Sequence, residues 1–480
     1  MMKRLLLTAL STALIHTAKA QFADSFDSAT VMPLQEFMSL VLKHHPVAKQ
    51  AALIPQEGRA RRMMAKGSFD PVAFYFASGK DFSDKQYYRY QDGGVEFFTY
   101  PGVKFNATWS TAGGDFLNPE SNMPVGGLLA LGADIPVLRG LLTDQRRLAL
   151  KQANLFNRYS VHMQRRVLND LLFEAISDYW MWSLRYAEYV MREKFVEVAR
   201  QRFQLVKSAF LNGDLPAVDT LEAYILVQSR EIATEQARAL LNDARLKLSN
   251  HLWSPEGQPV ELSWFAIPQL LNQPVEFPVP FDSILNISFE FTRINPESQL
   301  LDYQVRLLEV ERNFLRNELL PKFNIKYNFL TEQFGFWAGE EVIIAPNNYK
   351  FGVDISVPLF LRRERSALKI NELRLTEARL NRDNRQTALF RRMQQEAFLL
   401  ENQFEQIGLV RSNKDNFYEL LRIEQRKFQI GESSLFLVNA REVQAIDAEL
   451  LYLQLLHRYQ TSIASFFRAA GLLYTYQPEL

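Results

Sequence analysis

The sequence predicts a mainly α-helical fold with β strands, built as two internal repeats of very long helices and short alternating strands. Three observations predict it. Two halves of the 480-residue chain run in register, the strand segments alternate polar and apolar residues, and the helices carry an apolar seam far longer than a globular domain uses.

The repeats come first because they set the domain organisation. "HHPVAKQAALIPQEGRARRMMAKGSFDPVAFYF" from His44 parallels "INPESQLLDYQVRLLEVERNFLRNELLPKFNIKYNF" from Ile294, with Pro46 matching Pro296 and Pro71 matching Pro321. "LALKQANL" from Leu148 then matches "SALKINEL" from Ser366, and Gly213 matches Gly431. The offset shrinks between the two pairs of matches, which makes the strand region of the first repeat the longer one. Each repeat reads as short helix, strands, long helix, turn, medium helix. The reading divides the chain into a signal segment 1–20, a first repeat 21–253, an inter-repeat segment 254–281 and a second repeat 282–480.

A proline ends each short helix and opens the first strand, since proline removes a helical N–H and biases its predecessor to extended geometry. In the second repeat "KFNIKYNF" sets Lys322, Asn324, Lys326 and Asn328 on one face and Phe323, Ile325, Tyr327 and Phe329 on the other. Its return strand "YKFGVDISV" places Tyr349, Phe351, Val353, Ile355 and Val357 together. The first repeat offers 103–110 and 129–137 with the same alternation and a less regular strand at 72–78. Three segments do not return a chain to its starting side, so 95–111 is expected to be an added hairpin turning at Pro101–Gly102 and lying partly outside any membrane.

The long helices follow a period of 3.5 residues. Leu168, Leu172, Ala175, Tyr179, Trp182, Tyr186 and Tyr189 step by four and three, as do Met393, Ala397, Leu400, Phe404 and Ile407. That is the seam of helices wound side by side. From Lys151 to Gly213 such a helix is ~93 Å long at ~1.5 Å per residue. The short helix at 44–70 and the medium one at 220–252 together match that length, which suits a tube wall better than a globule.

Composition narrows the class. With 55 basic and 54 acidic residues the net charge is +1, so no global field points to nucleic acid. Cysteine is absent, which removes disulfides, thiol nucleophiles and cysteine-ligated metal, and a lipid-anchored N-terminal cysteine with them. Lys3 and Arg4, an apolar run from Leu5 to Ile15 and Ala18-Lys19-Ala20 form a secretory signal with a mature start at Gln21. Beyond it there is no run of 18 apolar residues.

An exported chain with such strands has two readings for their faces: a soluble half-buried sheet, or a membrane strand with aromatics in lipid and Lys and Asn lining water. Four strands cannot close a barrel in one chain, because a small barrel needs about eight; three copies would supply about twelve. The expectation is therefore an oligomer of identical copies forming an outer-membrane pore. The lumen-facing residues are then Lys322, Asn324, Lys326 and Asn328, and the lipid-facing ones Phe323, Ile325, Tyr327, Phe329, Phe351, Val353 and Ile355.

Several stretches carry a resemblance. "PLQEFMSLVLKHHPVAKQAAL" from Pro33 and "FDSILNISFEFTRINPESQLL" from Phe281 resemble the repeat openings of the TolC-type outer-membrane efflux and secretion channels. "DIPVLRGLLTDQRRLALKQA" from Asp134 and "DISVPLFLRRERSALKINE" from Asp354 resemble that family's strand-exit motif, and the segments around Gly213 and Gly431 its two periplasmic turns. The resemblance implies a homotrimer with a twelve-stranded β-barrel in the outer membrane and a twelve-helix α-barrel in the periplasm of a Gram-negative bacterium, girdled by the Pro-rich segment 254–281. It further implies passive export, with a periplasmic adaptor and an inner-membrane transporter as partners. The adaptor would dock at Asn212, Gly213, Asp214 and Leu215 and at Ile430, Gly431, Glu432 and Ser433. Family members often ring the closed pore with aspartates after the second turn. Here that stretch reads Leu435, Phe436, Leu437, Val438 and Asn439, which leaves Asp219, Leu437 and Asn439 as the candidate gate and a hydrophobic closure as plausible as an acidic one.

Catalytic chemistry is not expected, nor a cofactor or metal. His44, His45, His162, His251 and His457 have no metal-ligand spacing, and His16 leaves with the signal. "SALK" from Ser366 matches an S-x-x-K nucleophile pattern but stands in a long helix without the companion motifs. The alternative from another class is a soluble periplasmic coiled-coil scaffold or adaptor. Two helical hairpins with strands in mid-repeat favour the conduit.

Overall fold

The computed structural model describes residues 31–213, 215–270, 290–332 and 347–475. The expected signal segment, Asp214 and the end of the inter-repeat segment, 271–281, lie outside the described residues. In chain order the elements are β1 (Val31–Met32), α1 (Leu34–His44), α2 (Pro46–Gly67), β2 (Val72–Phe82), β3 (Lys85–Phe98), β4 (Lys104–Gly113) and β5 (Leu128–Pro136). There follow α3 (Gln145–Leu211), α4 (Ala217–Ser249), β6 (Ile267–Pro268), α5 (Pro296–Glu318), β7 (Lys322–Thr331), β8 (Tyr349–Ser356), α6 (Arg362–Gln429) and α7 (Leu435–Ala470). The two long helices hold 67 and 68 residues, close to ~100 Å each at ~1.5 Å per residue. No helix among the described residues is long and apolar enough to cross a membrane.

The breaks fall where backbone chemistry demands. His45 is extended (φ −61°, ψ 133°) because Pro46 follows it, and this separates α1 from α2. Pro71 and Pro321 each stand one residue before a strand. Gly471, at φ +74°, closes α7 in the left-handed conformation with Leu472 N–H donating to Phe467 O at 2.9 Å.

Two compact units emerge, and each draws on both repeats: 1–53, 162–298 and 385–480 form one; 54–161 and 299–384 form the other. The first unit is helical. Its main core gathers Leu34, Phe37 and Val41 of α1 with Leu172, Ala175, Ile176, Tyr179 and Trp182 of α3 and Leu248 of α4. Four residues of the expected α3 seam, Leu172, Ala175, Tyr179 and Trp182, are thus fully buried. The Tyr179 hydroxyl donates to Met32 O (2.7 Å) and accepts from Gln269 N (3.1 Å), tying down the parallel pair β1–β6. On α7, positions stepping by three and four (Leu435, Val438, Glu442, Ala445, then Tyr452, Leu456, Tyr459, Ile463, Phe466 and Ala470) are all buried. Against them pack Ala397, Leu400 and Ile407 of α6, while Phe404 of the same expected seam stays 39% exposed.

The second unit contains one antiparallel sheet of order β2-β3-β4-β5-β7-β8. The added hairpin expected at 95–111 is present, turning where Gly102 N–H donates to Thr99 O (2.9 Å). It begins ten residues earlier than expected, at Lys85, and its two strands join the four expected membrane strands in a single six-stranded sheet. The sequence hides β3 because Gly93-Gly94 in its middle reads as a turn.

Candidate functional site

Directly paired residues of an antiparallel ladder share a face, so the register assigns both faces of the sheet. Phe323 pairs with Ile355, Ile325 with Val353, Tyr327 with Phe351 and Phe329 with Tyr349. The same rows continue through Ile135, Ala133 and Leu131 of β5, Phe105, Ala107 and Trp109 of β4, and Phe97 and Val95 of β3. The apolar residues expected on one side of β7 and β8 lie in this continuous face, except Val357, which falls one residue beyond the end of β8.

Polar residues occupy the reverse. Lys104, Asp134 and Lys326 form one row across β4, β5 and β7; Glu96, Asn106, Gly132, Asn328 and Lys350 form the next. Asn324 pairs with Asp354 and Lys322 with Ser356, so all four expected polar residues of β7 share this side. Their charges interlock diagonally: Lys104 Nζ lies 2.5 Å from Glu96 and Lys326 Nζ 3.2 Å from Asp354. The belt therefore carries four cations (Lys104, Lys322, Lys326, Lys350) against four anions (Asp92, Glu96, Asp134, Asp354). Apolar residues share this side at Val72, Phe74 and Phe76 of β2, Phe98 of β3, Leu128 and Ala130 of β5 and Leu330 of β7.

In the helical unit the two turns close the same end of the bundle. Val206 and Phe203 of α3, Leu215, Ala223 of α4, Phe428 of α6 and Leu435 of α7 form one cluster beneath them. Gly431 (φ +79°) donates to Phe428 O at 3.1 Å and Glu432 N–H to Lys427 O at 2.9 Å, a paired arrangement that satisfies the last carbonyls of α6. Gly213 (φ +84°) donates to Phe210 O at 3.0 Å in the equivalent place after Asn212. Space beside both glycines is open. Ser433 is bonded to Glu424, and Ser434 caps α7 by accepting from Leu437 N–H. Around the turns Leu211, Val218, Ile430 and Phe436 are each more than 60% exposed.

The three gate candidates are not alike. Asp219 lies in the first turn of α4 and Leu437 is exposed. Asn439 is tied up: its Oδ1 accepts from Arg202 at 2.9 Å and its Nδ2 faces Glu222 at 3.4 Å. Beside it the fully buried Glu442 pairs with both Arg202 and Arg230, joining α3, α4 and α7. Sequence reasoning missed this network. The available signal was a glutamate in an otherwise apolar three-four seam.

The histidines make local contacts. His251 Nε2 lies 2.8 Å from Asp178 Oδ2, and His45 packs against His251 and Trp253. Burial, then the neighbouring His251, lowers the His45 pKa below its usual value. The Ser366–Lys369 pattern lies within α6, as expected.

Residues 308–472 match the family model for outer membrane efflux proteins. Over this part the chain is similar to outer membrane efflux proteins. No curated protein matches the sequence, yet solved structures share the fold over nearly the whole chain. The CmeC outer membrane channel of Campylobacter jejuni superposes with a TM-score of 0.64 at 14% identity, covering 92% of this chain and 86% of that one. The open-state MtrE channel of Neisseria gonorrhoeae gives 0.62 at 14%, covering 92% and 89%. The outer membrane protein VceC of Vibrio cholerae gives 0.61 at 12%, covering 91% and 96%. The matched segment holds the end of α5, β7, β8, α6 and all of α7, and the fold shared with these channels extends over the first repeat, which the match does not reach.

Proposed function

We propose that the chain is the outer-membrane exit duct of a tripartite efflux or type I secretion system, a passive conduit and not an enzyme. The observation that carries the reading is the sheet of the second unit: one side continuously apolar over five strands, the other carrying a belt of balanced charges, and the outer edges of β2 and β8 without a strand partner among the described residues. An isolated chain cannot satisfy such a sheet. Copies closing it into a barrel put the apolar side in lipid and the belt around water.

A homotrimer is supported by the helical unit as well. Val218, Ile225, Ile232 and Leu246 recur at multiples of seven residues along α4, all about half exposed or more, with Leu221 beside them. A seam of that kind is completed by a second helix, here one from a neighbouring copy. Lumen-facing residues are then Lys322, Asn324, Lys326 and Asn328, and lipid-facing ones Phe323, Ile325, Tyr327, Phe329, Phe351, Val353 and Ile355. The turns at 212–215 and 430–433 are the surface for a periplasmic adaptor, which links the duct to an inner-membrane transporter. Their open glycines and exposed apolar rims suit close approach of another backbone.

Membrane fractionation followed by native mass measurement tests the proposal. Recovery in the outer-membrane fraction, with detergent needed for extraction and a mass of three copies, is expected. A detergent-independent monomer in the periplasmic extract would refute it.

A further inference from the structure

Building on the conduit reading, we infer that the segment joining β8 to α6 binds anionic phospholipid of the periplasmic leaflet, with phosphates on Arg362, Arg363 and Arg365 and acyl chains against Leu359 and Phe360. The apolar face of the sheet does not stop where β8 stops. Down that strand it runs through Tyr349, Phe351, Val353 and Ile355. Val357, Leu359 and Phe360 carry it on, 48%, 91% and 71% exposed. Two residues later the surface inverts, because α6 opens with three exposed arginines. Apolar surface that ends in guanidinium groups follows the profile of a membrane, where acyl chains give way to phosphates.

A solvated helix start would account for the arginines alone, but not for a leucine and a phenylalanine beside them with so little cover. The first repeat provides an internal comparison. In the register that matches Gly213 to Gly431, Leu141 and Leu142 stand where Leu359 and Phe360 do, Asp144 where Arg362 does and Arg147 where Arg365 does. The first-repeat arginine is buried and satisfied: Arg147 pairs with Asp144 and donates to Leu141 O at 2.7 Å. In the second repeat an arginine replaces that aspartate. Among the described residues none of Arg362, Arg363 and Arg365 is paired with a carboxylate, and Arg362 lies over the Phe360 ring, 5.1 Å from its centroid.

A neighbouring copy adds to this charge instead of cancelling it. Closing the sheet between copies brings the outer edge of β8 to that of β2. The chain entering β2 is itself basic: Arg59, Arg62 and Lys66 of α2 are exposed and outnumber Asp70, while Glu57 is taken by Arg61. Phosphodiester headgroups neutralise such a junction, because a guanidinium offers paired N–H donors to two phosphate oxygens. Phosphatidylglycerol, which carries a net negative charge, satisfies it; phosphatidylcholine, whose choline cancels its phosphate, does so poorly.

The test is delipidated oligomer in neutral detergent, titrated with phosphatidylglycerol or phosphatidylcholine and weighed by native mass spectrometry. The unmodified protein is expected to retain phosphatidylglycerol preferentially. Each of Arg362→Gln, Arg363→Gln and Arg365→Gln should weaken that retention about fivefold with the oligomer mass unchanged. Equal retention of the two lipids, or unchanged retention when all three are replaced, overturns the inference. So does dissociation of the triple variant into single chains, which would make the arginines a contact between copies.

A depth measurement needs no arginine substitution. The chain has no cysteine, so Val353→Cys and Phe360→Cys each take a single environment-sensitive fluorophore. In phosphatidylglycerol vesicles, lipid carrying doxyl near the headgroup should quench the label at 360 more than lipid carrying it deep in the acyl chain, with the reverse order at 353. Lipid quenching at 353 and none at 360 overturns the inference and leaves the conduit intact. Absence of lipid quenching at both sites sinks the conduit reading, and this inference with it.

Discussion

Asn106 and Asn328 hydrogen-bond at 3.0 Å although a whole strand separates them. They meet over Gly132, the residue between them in the ladder, whose missing side chain leaves the space they use. A Cβ there would overlap the Asn328 amide. Gly132→Ala is therefore expected to break the bridge and lower oligomer stability by about 1–2 kcal/mol, the usual cost of a displaced hydrogen bond. Thermal dissociation of the oligomer on gels measures it, and an unchanged midpoint would contradict the geometry.

Charge balance in the same belt makes a second prediction. Lys326 neighbours Asp134 in its row and pairs with Asp354. Lys326→Glu turns a neutral belt acidic in every copy, and the reversal potential of reconstituted channels is expected to move toward cation selectivity. Failure to insert, with no conducting species, would place this side in lipid instead.

The buried cluster on α7 governs the tip of the bundle. Removing Glu442 leaves Arg202 and Arg230 facing one another without a counter-charge, and Glu442→Ala should cost about 3–5 kcal/mol. Replacing all three by Leu or Met is expected to restore most of that stability. Denaturant unfolding followed by helical circular dichroism distinguishes the two.

Acid should weaken the helical unit. Burial is the leading cause that lowers the pKa values of His45, His162 and His457 from the ordinary 6.5. They stay neutral in the fold while the unfolded chain takes up protons near 6.5, so stability present above that pH is lost as pH falls below it toward the lowered folded values. Melting temperatures between pH 7.5 and 5.5 are expected to fall, with a shallower decline in His457→Gln.

Gly431→Trp tests the proposed docking turn. The site is open, so the substitution costs only the backbone strain of φ +79°, about 1–2 kcal/mol. Trimers should persist while co-purification with the adaptor and export are lost. Normal export by this variant would remove the turn from the interface.

Much of the chain could be read in advance because its signals are local and repeated. Pro46, Pro71, Pro296 and Pro321 mark element boundaries through their own backbone restrictions, Gly213 and Gly431 mark the helix ends, and period-two alternation assigned the faces of β7 and β8. Other features depend on which segments become neighbours. β3 lacked a legible pattern because Gly93-Gly94 interrupts its alternation, and only pairing with β2 and β4 makes it a strand. Glu442 looks like one more helix carboxylate until α3 and α4 bring Arg202 and Arg230 to it. The sequence by itself determined the repeats, the element types and the two-sided strands, since those follow from dihedral preference and hydrophobic period. Tertiary structure alone decided the six-strand order, the interlocked belt and the buried triad, because register and long-range charge pairing arise from contacts between residues tens to hundreds of positions apart.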